Sequence, residues 1–473
     1  MRKLFLLLIL LLFTVYAYCQ GEDSNPKRIL SLSDCISMAI DNNSDLKAAR
    51  NRIITSKAAT EMAVSDYFPS LSARNNTFEM DMHGDSTMIK STTLSANLKL
   101  FDTGLRYLTV QGAKKDEKQT INSVFRTYQD VLYRVTVDYY NCQHYKELID
   151  LKQTSLQYYT DEEKEYQEKI DLGELAPVDI YPIQSSVANA KVTLLSAENQ
   201  YEDAKRDLIN LLGIPDTEEL DFAEESVDIE EANLTKEEYV KLALDNRTDL
   251  KAYDLAIDSA KISKKKADMD LWPLFYVNAE YGKKFNDEYV TGHNTDGRIM
   301  GYISWNIFDG FSTQAKIKQS KANLENAIEN RAELERDIIT SLKKLYYDIT
   351  ISKEQLDASK IGFESASKNR DVQREKFNLN MNTNLDILNA QVQYDTALSN
   401  LIDSKYNLKL AYIELDYQTG MLGLEDERIN LANEKKVEEV YGKGSSALNN
   451  LKIGDSVDKS VAEREKDKDS LDK

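Results

Sequence analysis

The sequence has few of the residues that interrupt helices, with 17 Gly and 6 Pro among 473 residues. This scarcity, together with a charged fraction of 30%, predicts long helices and argues against collagen-like, Pro-rich or loop-rich proteins. Only three histidines are present, which leaves little room for a metal site built from several of them. Apolar runs near the ~20 residues of a membrane-spanning helix are missing beyond the extreme N-terminus. Any crossing of a membrane must therefore use strands.

That N-terminal run predicts a signal peptide over residues 1–19. Two basic residues precede an apolar stretch over 4–15, and the small residues Ala17 and Cys19 stand before the expected cleavage site. Two alternatives stay open. The stretch could be a single anchor helix, although it is short for one, or Cys19 could carry lipid, although its aromatic neighbours are bulky for that modification.

The charge balance is acidic, with 80 Asp and Glu against 60 Lys and Arg. The formal net charge of -20 becomes about -22 when the two basic residues of the signal peptide are removed, which argues against a nucleic-acid partner. Cys35 and Cys142 would remain in the exported chain. We expect two packed thiols, and a disulfide between them stays possible. No candidate nucleophile, phosphate loop or zinc spacing is visible, so we expect neither an enzyme nor a cofactor.

The chain contains an internal duplication. The segment AIDNNSDLKA (39–48) recurs as ALDNRTDLKA (243–252), and with the same offset Pro69 falls on Pro273. Further matches occur at an offset of 207, and these are Phe101 with Phe308, Asp102 with Asp309, Asp179 with Asp386, Gln184 with Gln391, and Gly213 with Gly420. Because so many markers keep one order over some 200 residues, we infer a tandem repeat.

Each copy shows the same succession of periodicities. A helix of about 30 residues is followed by Pro, two strand-like runs, a very long helix, a turn and a further helix. The long helix has apolar residues at steps of three and four, from Val124 to Ile149 in copy one and from Ile338 to Ile349 in copy two. This stripe is typical of a coiled-coil-like seam. Residues 105–171 would span on the order of 100 Å as a helix.

The strand-like runs alternate apolar and polar residues. Leu94, Ala96 and Leu98 alternate with Ser95 and Asn97 in copy one, and copy two repeats the pattern in its runs beginning near 274 and 299. Strands of about ten residues with one apolar face, in an exported chain, fit an outer-membrane barrel. Four strands cannot close one, since open edges would leave backbone groups unsatisfied. Several copies of the chain would therefore share a barrel.

The duplicated unit, the Pro that precedes each hairpin and the FD followed by Gly at each exit resemble the TolC-like outer membrane efflux protein family, over about residues 28–423. The resemblance implies a mainly α fold with a small β part. Tandem-duplicated long helices would form a periplasmic tunnel, and four strands per chain would contribute to a trimeric twelve-stranded transmembrane barrel. It also implies an outer-membrane location, a homotrimer in contact with lipid, a periplasmic adaptor and an inner-membrane pump. The function implied is a passive duct for exported substrates, as in tripartite efflux or type I secretion.

The resemblance implies candidate site residues in the turns between the long helices. These turns are YQEKIDLGELAPVDIYPIQ (166–184) and REKFNLNMNTNLDILNAQ (374–391), and in the family they form the periplasmic tip where the tunnel narrows and the adaptor docks. The candidates are Gly173, Asp179, Asn380, Asn382, Asp386 and Asn389. Three copies of Asp386 would form a ring of carboxylates, which favours cations. The alternative for Asp179 and Asp386 is a helix N-cap.

Some family members have an Arg and a second acidic residue where Asn382 and Asn389 stand here, so these residues do not secure the family's closing mechanism. A different class of function also stays open, a periplasmic coiled-coil adaptor or scaffold without a channel. The predicted organisation is a signal peptide (1–19), a first repeat (20–215, hairpin about 70–100, helix pair about 104–212), a linker (216–233), a second repeat (234–423, hairpin about 274–307, helix pair about 311–420) and a charged, disordered tail (424–473).

Overall fold

The computed structural model describes residues 28–82, 85–215, 220–225, 234–286, 295–379 and 381–423. The predicted signal peptide and the predicted tail lie outside the described residues. The helices in the described part are all too polar or too short to cross a membrane. The described residues form two compact units, the first within 28–44, 131–225 and 345–415 and the second within 45–130, 234–344 and 416–423.

The two copies have matching elements. Copy one contains β1 (Arg28–Leu30), α1 (Leu32–Asn42), α2 (Ser44–Ser65), β2 (Ser70–Met82), β3 (Asp85–Phe101), α3 (Leu105–Asp171) and α4 (Ile180–Leu212). Copy two contains β4 (Leu220–Phe222), α5 (Lys236–Asn246), α6 (Thr248–Met269), β5 (Leu274–Asn286), β6 (Thr295–Ser304), α7 (Ser312–Asn378) and α8 (Asn384–Gln418). A short 3-10 helix, Pro177–Asp179, precedes α4.

The single helix of about 30 residues predicted at the start of each copy is wrong, because each is broken into two. The break falls at Asn43 in copy one and at Arg247 in copy two, where the backbone is extended with ψ of 132° and 122°. The buried side chain of Asn43 donates to the carbonyl of Leu211 (2.8 Å), and that of Arg247 donates to the carbonyl of Gln418 (3.3 Å). Each break therefore ties the start of its copy to the end of that copy's last helix.

In both copies, two residues with a left-handed backbone conformation connect the end of the hairpin to the long helix. In copy one Thr103 and Gly104 have φ of 55° and 95°, and in copy two Gly310 and Phe311 have φ of 69° and 68°. The preceding Asp accepts from a backbone N–H of the first helical turn, at 3.0 Å for Asp102 and 2.8 Å for Asp309. The FD pair thus satisfies helix N–H groups that have no partner within the helix.

The apolar stripe of the long helices is the core in each unit. In the first unit Val131, Val135, Tyr139 and Cys142 of α3 are buried. In the second unit Val124 and Tyr128 of the same helix and Ile338 and Leu342 of α7 are buried, as the periodicity predicts. Parallel pairing of β1 with β4 continues the first unit's core, where Phe222 packs edge-on against Tyr139 with ring centroids 5.9 Å apart.

Both cysteines of the described residues are free and buried. Burial raises the pKa of the Cys35 thiol to about 12 and also raises that of Cys142. Neither thiol is therefore ionised near neutral pH, which agrees with their interpretation as small packed residues rather than reactive groups.

The four long strands form one antiparallel sheet in the order β2-β3-β5-β6. Registers Leu71↔Ala96, Ala96↔Ala279 and Ala279↔Ile299 place these residues on one face, confirming the predicted alternation. Leu71 and Ile299 are 72% and 79% exposed, so this apolar face is not covered by any of the described residues.

The opposite face of the sheet carries polar side chains that bond across the strands. Ser72 and Ser95 share a hydrogen bond of 2.9 Å, Asn278 donates to Asn97 (2.5 Å), and Arg298 donates to Glu280 (2.8 Å).

The strand β6 ends at Ser304, short of Trp305 and Ile307, which the alternation placed in the strand. The indole of Trp305 instead donates to the carbonyl of Leu271 (3.1 Å), which lies in the turn after α6. The chain therefore stops pairing with β5 at this point.

Candidate functional site

The turn between α3 and α4 is built around Gly173, which has a φ of 77°. Its N–H donates to the carbonyl of Ile170 (2.9 Å), and the next residue, Glu174, donates to the carbonyl of Lys169 (2.8 Å). These bonds satisfy the last carbonyls of α3, as in a Schellman-type end that favours glycine. Gly173 is therefore a structural requirement of the turn.

Asp179 organises the other end of the same turn. Its carboxylate accepts from the backbone N–H of Ala176 (3.1 Å), and it is the last residue of the short 3-10 helix before Ile180 starts α4. The side chain is half-buried and accepts from Ala176, which precedes it in the chain, rather than from the first N–H groups of α4. The residue thus occupies the N-cap position of α4 without a side-chain cap bond.

Asn382 holds the corresponding turn of copy two to the end of α7. Its Nδ2 donates to the backbone carbonyl and to the side-chain Oε1 of Gln373, both at 2.9 Å. Met381 adds a backbone bond to Lys376 (2.8 Å). Asn380 lies outside the described residues.

Asp386 lies in the first turn of α8 and is exposed. Its carboxylate accepts from the backbone N–H (2.9 Å) and the hydroxyl (2.7 Å) of Thr383, which stands immediately before the helix. These two bonds, with a smaller effect of Lys376, hold the pKa of Asp386 below its ordinary value. Asp386 is thus the third helical residue and not the N-cap itself. The carboxylate of Asp386 remains accessible to solvent.

Asn389 is also exposed and lies three residues after Asp386 on α8. Residues three apart on a helix share a face. The residue before Asn389, Leu388, is buried and packs in one cluster with Ile180 and Ile183 of α4. The starts of α4 and α8 therefore pack together, which brings the two acidic residues onto adjoining helix ends.

Large apolar side chains project into solvent from both turns, a feature that the sequence reasoning missed. Leu172 is 75% exposed and Met381 is 71% exposed. The exposed set is Leu172, Val178 and Tyr181 in copy one and Leu379, Met381 and Leu385 in copy two. The sequence did contain an indication of this surface, because apolar residues stand at turn positions where polar residues would be expected in contact with solvent. Contiguous exposed apolar surface marks binding sites.

Contacts between α3 and α7 fix the last helical turns beneath this surface. Lys169 lies over the ring of Phe377, 5.2 Å from its centroid, and Arg374 lies 3.9 Å from the carboxylate of Glu162. Burial, with the nearby Glu165, raises the pKa of Glu162. Within the described ranges no cluster of three or more His, Cys, Asp or Glu is arranged to hold a metal ion.

Comparison with known proteins gives consistent results. A family model described as "Outer membrane efflux protein" matches residues 35–214 and 239–421. The alkaline protease secretion protein AprF of Pseudomonas aeruginosa is 24% identical over 366 residues, 75% of this chain and 74% of AprF. The outer membrane efflux protein BepC of Brucella suis is 20% identical, over 86% of this chain and 89% of BepC. Among solved structures, the Campylobacter jejuni CmeC outer membrane channel superposes with a TM-score of 0.75 at 14% identity, covering 88% of this chain and 90% of that one.

Proposed function

The chain belongs to the outer membrane efflux protein family, and from this premise we propose that three copies assemble into one duct, with Asp386 at its periplasmic aperture. The protein is an outer-membrane efflux channel with a periplasmic helical tunnel, through which exported substrates leave the cell. The observation that carries the proposal is the sheet. It has four strands, an exposed apolar face and two outer strands, β2 and β6, each paired on one side only among the described residues.

The edges of this sheet require neighbours in a membrane. Backbone groups left unpaired in hydrocarbon cost several kcal/mol each. The edge β6 of one copy can pair with β2 of the next, and three copies would make a closed barrel of twelve strands. The polar ladder of Ser72, Asn97 and Glu280 would then face the water-filled lumen, while Leu71 and Ile299 would face lipid.

The aperture would be formed by the two helix turns. Asp386 is exposed, ionised and fixed by Thr383, so three copies around an axis would place three carboxylates in a constriction. Clustered charge of one sign in a narrow pore favours the passage of counter-ions. Asp179 would contribute a second acidic position on the adjoining helix start, and Asn389 a polar one. Gly173 and Asn382 would shape the turns rather than line the pore.

The exposed apolar side chains of the turns would be the docking surface for the periplasmic adaptor. Burying a large apolar side chain contributes about 1.5–3 kcal/mol, so the six residues of this set could supply most of the affinity. Differential binding of the adaptor to an open arrangement of the helices would shift the aperture towards that state. Energy for transport would come from the inner-membrane pump.

A scaffold or adaptor without a channel, the alternative interpretation, does not account for the four-stranded sheet placed at matching points of both copies.

The role of Asp386 can be tested by ion selectivity in planar bilayers. Asp386→Asn should reduce the preference for cations in a salt gradient, because the ring loses its charge. Asp386→Glu keeps the charge and serves as the matched control. Full cation preference in the Asn variant, with the protein still trimeric, would exclude Asp386 from the aperture.

A further inference from the structure

A charged cleft of about 220 Å³ lies in the first unit, between α3, the segment after β4, and α8. Its charged lining residues are four acids and two lysines, Glu147, Asp150, Glu224, Glu225, Lys146 and Lys405. Four carboxylates against two ammonium groups give the lining a net charge of −2.

Both lysines of the cleft are already engaged. Lys146 lies 3.6 Å from Asp221 and 3.4 Å from Glu224, and Lys405 lies 3.3 Å from Glu147. The excess negative charge is thus not neutralised by the cleft's own cations. An acidic cluster alone does not define a site, since such residues are commonly solvated.

The buried amide of Gln143 supplies an independent indication of a ligand. The residue is 5% exposed and lines the cleft, and its Nε2 donates to the carbonyl of Ala223 (2.7 Å). Because a carbonyl oxygen can only accept, this contact fixes the orientation of the amide. The Oε1 atom is buried and has no hydrogen-bond partner. A buried acceptor without a donor is unfavourable, so the position calls for an N–H or O–H group.

The neighbouring hydroxyl of Tyr406 is committed elsewhere. Burial and the adjacent Glu147, to which the hydroxyl is hydrogen-bonded, raise the pKa of Tyr406, so it stays protonated with its hydrogen on that carboxylate. Tyr139 donates to the carbonyl of Ala223 (2.7 Å), the same acceptor that Gln143 uses. The described lining residues therefore supply no donor to the Gln143 oxygen.

We propose that this cleft binds an organic cation with several N–H donors, a guanidinium group above all. One N–H would donate to Oε1 of Gln143, and the others would donate to carboxylates such as Asp150 and Glu225. A guanidinium has five donors in a planar fork and no acceptor, which matches a lining of acceptors. The group can come from a free small cation or from an arginine side chain of a partner protein, and the experiment distinguishes these sources.

The test is calorimetric titration of the full-length protein in detergent with three probes. Agmatine carries a guanidinium and an ammonium group, N-acetyl-arginine methylamide carries the guanidinium on a peptide unit, and tetramethylammonium has charge without N–H donors. Agmatine is expected to bind and tetramethylammonium is not. Binding of the arginine derivative as tightly as agmatine identifies a side chain as the source, and binding of agmatine alone identifies a free cation.

Substitution of Gln143 separates the site from general charge attraction. Gln143→Met keeps the volume and removes the orphaned oxygen, while Tyr139 still satisfies the Ala223 carbonyl, so the fold should persist. Affinity for agmatine should fall by about tenfold or more, the usual effect of losing a hydrogen bond to a charged group. The matched control is Gln391→Met, another buried glutamine outside the cleft lining, which should leave the affinity unchanged.

Asp150→Asn provides a second variant at an exposed position, where misfolding is not expected. It should weaken agmatine about two- to fivefold, as for a partly screened ion pair. The proposal is overturned if the wild type binds none of the guanidinium probes, or if Gln143→Met and Asp150→Asn both bind agmatine as the wild type does.

Discussion

The caps of the two last helices offer a matched pair of substitutions with different expected costs. Gly213 follows α4 with a φ of 68°, and Gly420 follows α8 with a φ of 74°. An alanine Cβ at 213 would lie 2.7 Å from the carbonyl oxygen and 2.9 Å from the carbonyl carbon of Asn42. At 420 the nearest atoms, from Arg247, lie at 3.4 Å. The two sites thus share the backbone conformation and differ in the space available.

The difference can be worked into free energies. A left-handed conformation costs a non-glycine residue roughly 1–2 kcal/mol, which applies to both variants. Gly213→Ala must in addition displace backbone at the end of α1, and overpacking of this kind costs about 1–3 kcal/mol. The backbone of Asn42 cannot easily move away from the new Cβ, because the next residue, Asn43, is hydrogen-bonded to the carbonyl of Leu211. We expect Gly420→Ala to cost about 1–2 kcal/mol and Gly213→Ala about 2–5 kcal/mol.

The assay is urea unfolding of the full-length protein in detergent, followed by circular dichroism at 222 nm, on the wild type and both alanine variants. Local hydrogen exchange at the end of α4 gives a second reading, because opening there should become easier in Gly213→Ala only. Equal losses of unfolding free energy in the two variants would refute the argument from the close approach to Asn42.

Three further outcomes are expected. Because hydrogen bonds from Thr383 lower the pKa of Asp386, the cation preference of the channel should be full at neutral pH and fall as acid protonates the ring, and a preference that acid leaves unchanged would exclude these carboxylates as its cause. Asn382→Ala should cost about 1 kcal/mol of local stability by removing its bonds to Gln373, seen as faster hydrogen exchange at the end of α7, and unchanged exchange would show that those bonds are dispensable. Arg247→Gln should cost about 3–5 kcal/mol of unfolding free energy by breaking its buried pair with Asp249, whose bonds outweigh burial and lower the pKa of Asp249. The wild-type advantage should be full above pH 3.8 and shrink as the pH falls through the lowered pKa, leaving the part due to the bonds of Arg247 to Gln418. An advantage that does not change with pH would exclude the pair with Asp249 as its main cause.

The repeat, the strand faces and the helical seams could be predicted because each has a periodic signal. The alternation of Leu94, Ala96 and Leu98 with polar residues reports burial of one face directly. The register Ala96↔Ala279 follows once both strands are assigned an apolar face, since a shift of one residue would reverse it.

The breaks at Asn43 and Arg247 could not be predicted from periodicity, since the apolar pattern runs through them. They are fixed by long-range bonds to the ends of α4 and α8, which a local pattern does not contain. The same limit applies at Trp305, where a bond to the Leu271 carbonyl overrides the alternation.

At the candidate site, the sequence identified the two turns and their acidic residues but not what those residues bind. The capping bond of Asp386 to Thr383 is local and could have been anticipated from the Thr-x-x-Asp spacing. The bonds of Asn382 to Gln373 and the exposure of Leu172 and Met381 depend on how the turns are placed, which composition does not reveal.

The most direct test of the central claim joins oligomeric mass with conductance in a single preparation. The full-length protein, extracted from the outer membrane, is sized by light scattering with detergent correction and then added to planar bilayers. The account predicts a trimer that inserts in discrete steps and conducts ions. A stable monomer without conductance would contradict it, because a four-stranded sheet from one chain cannot enclose a pore.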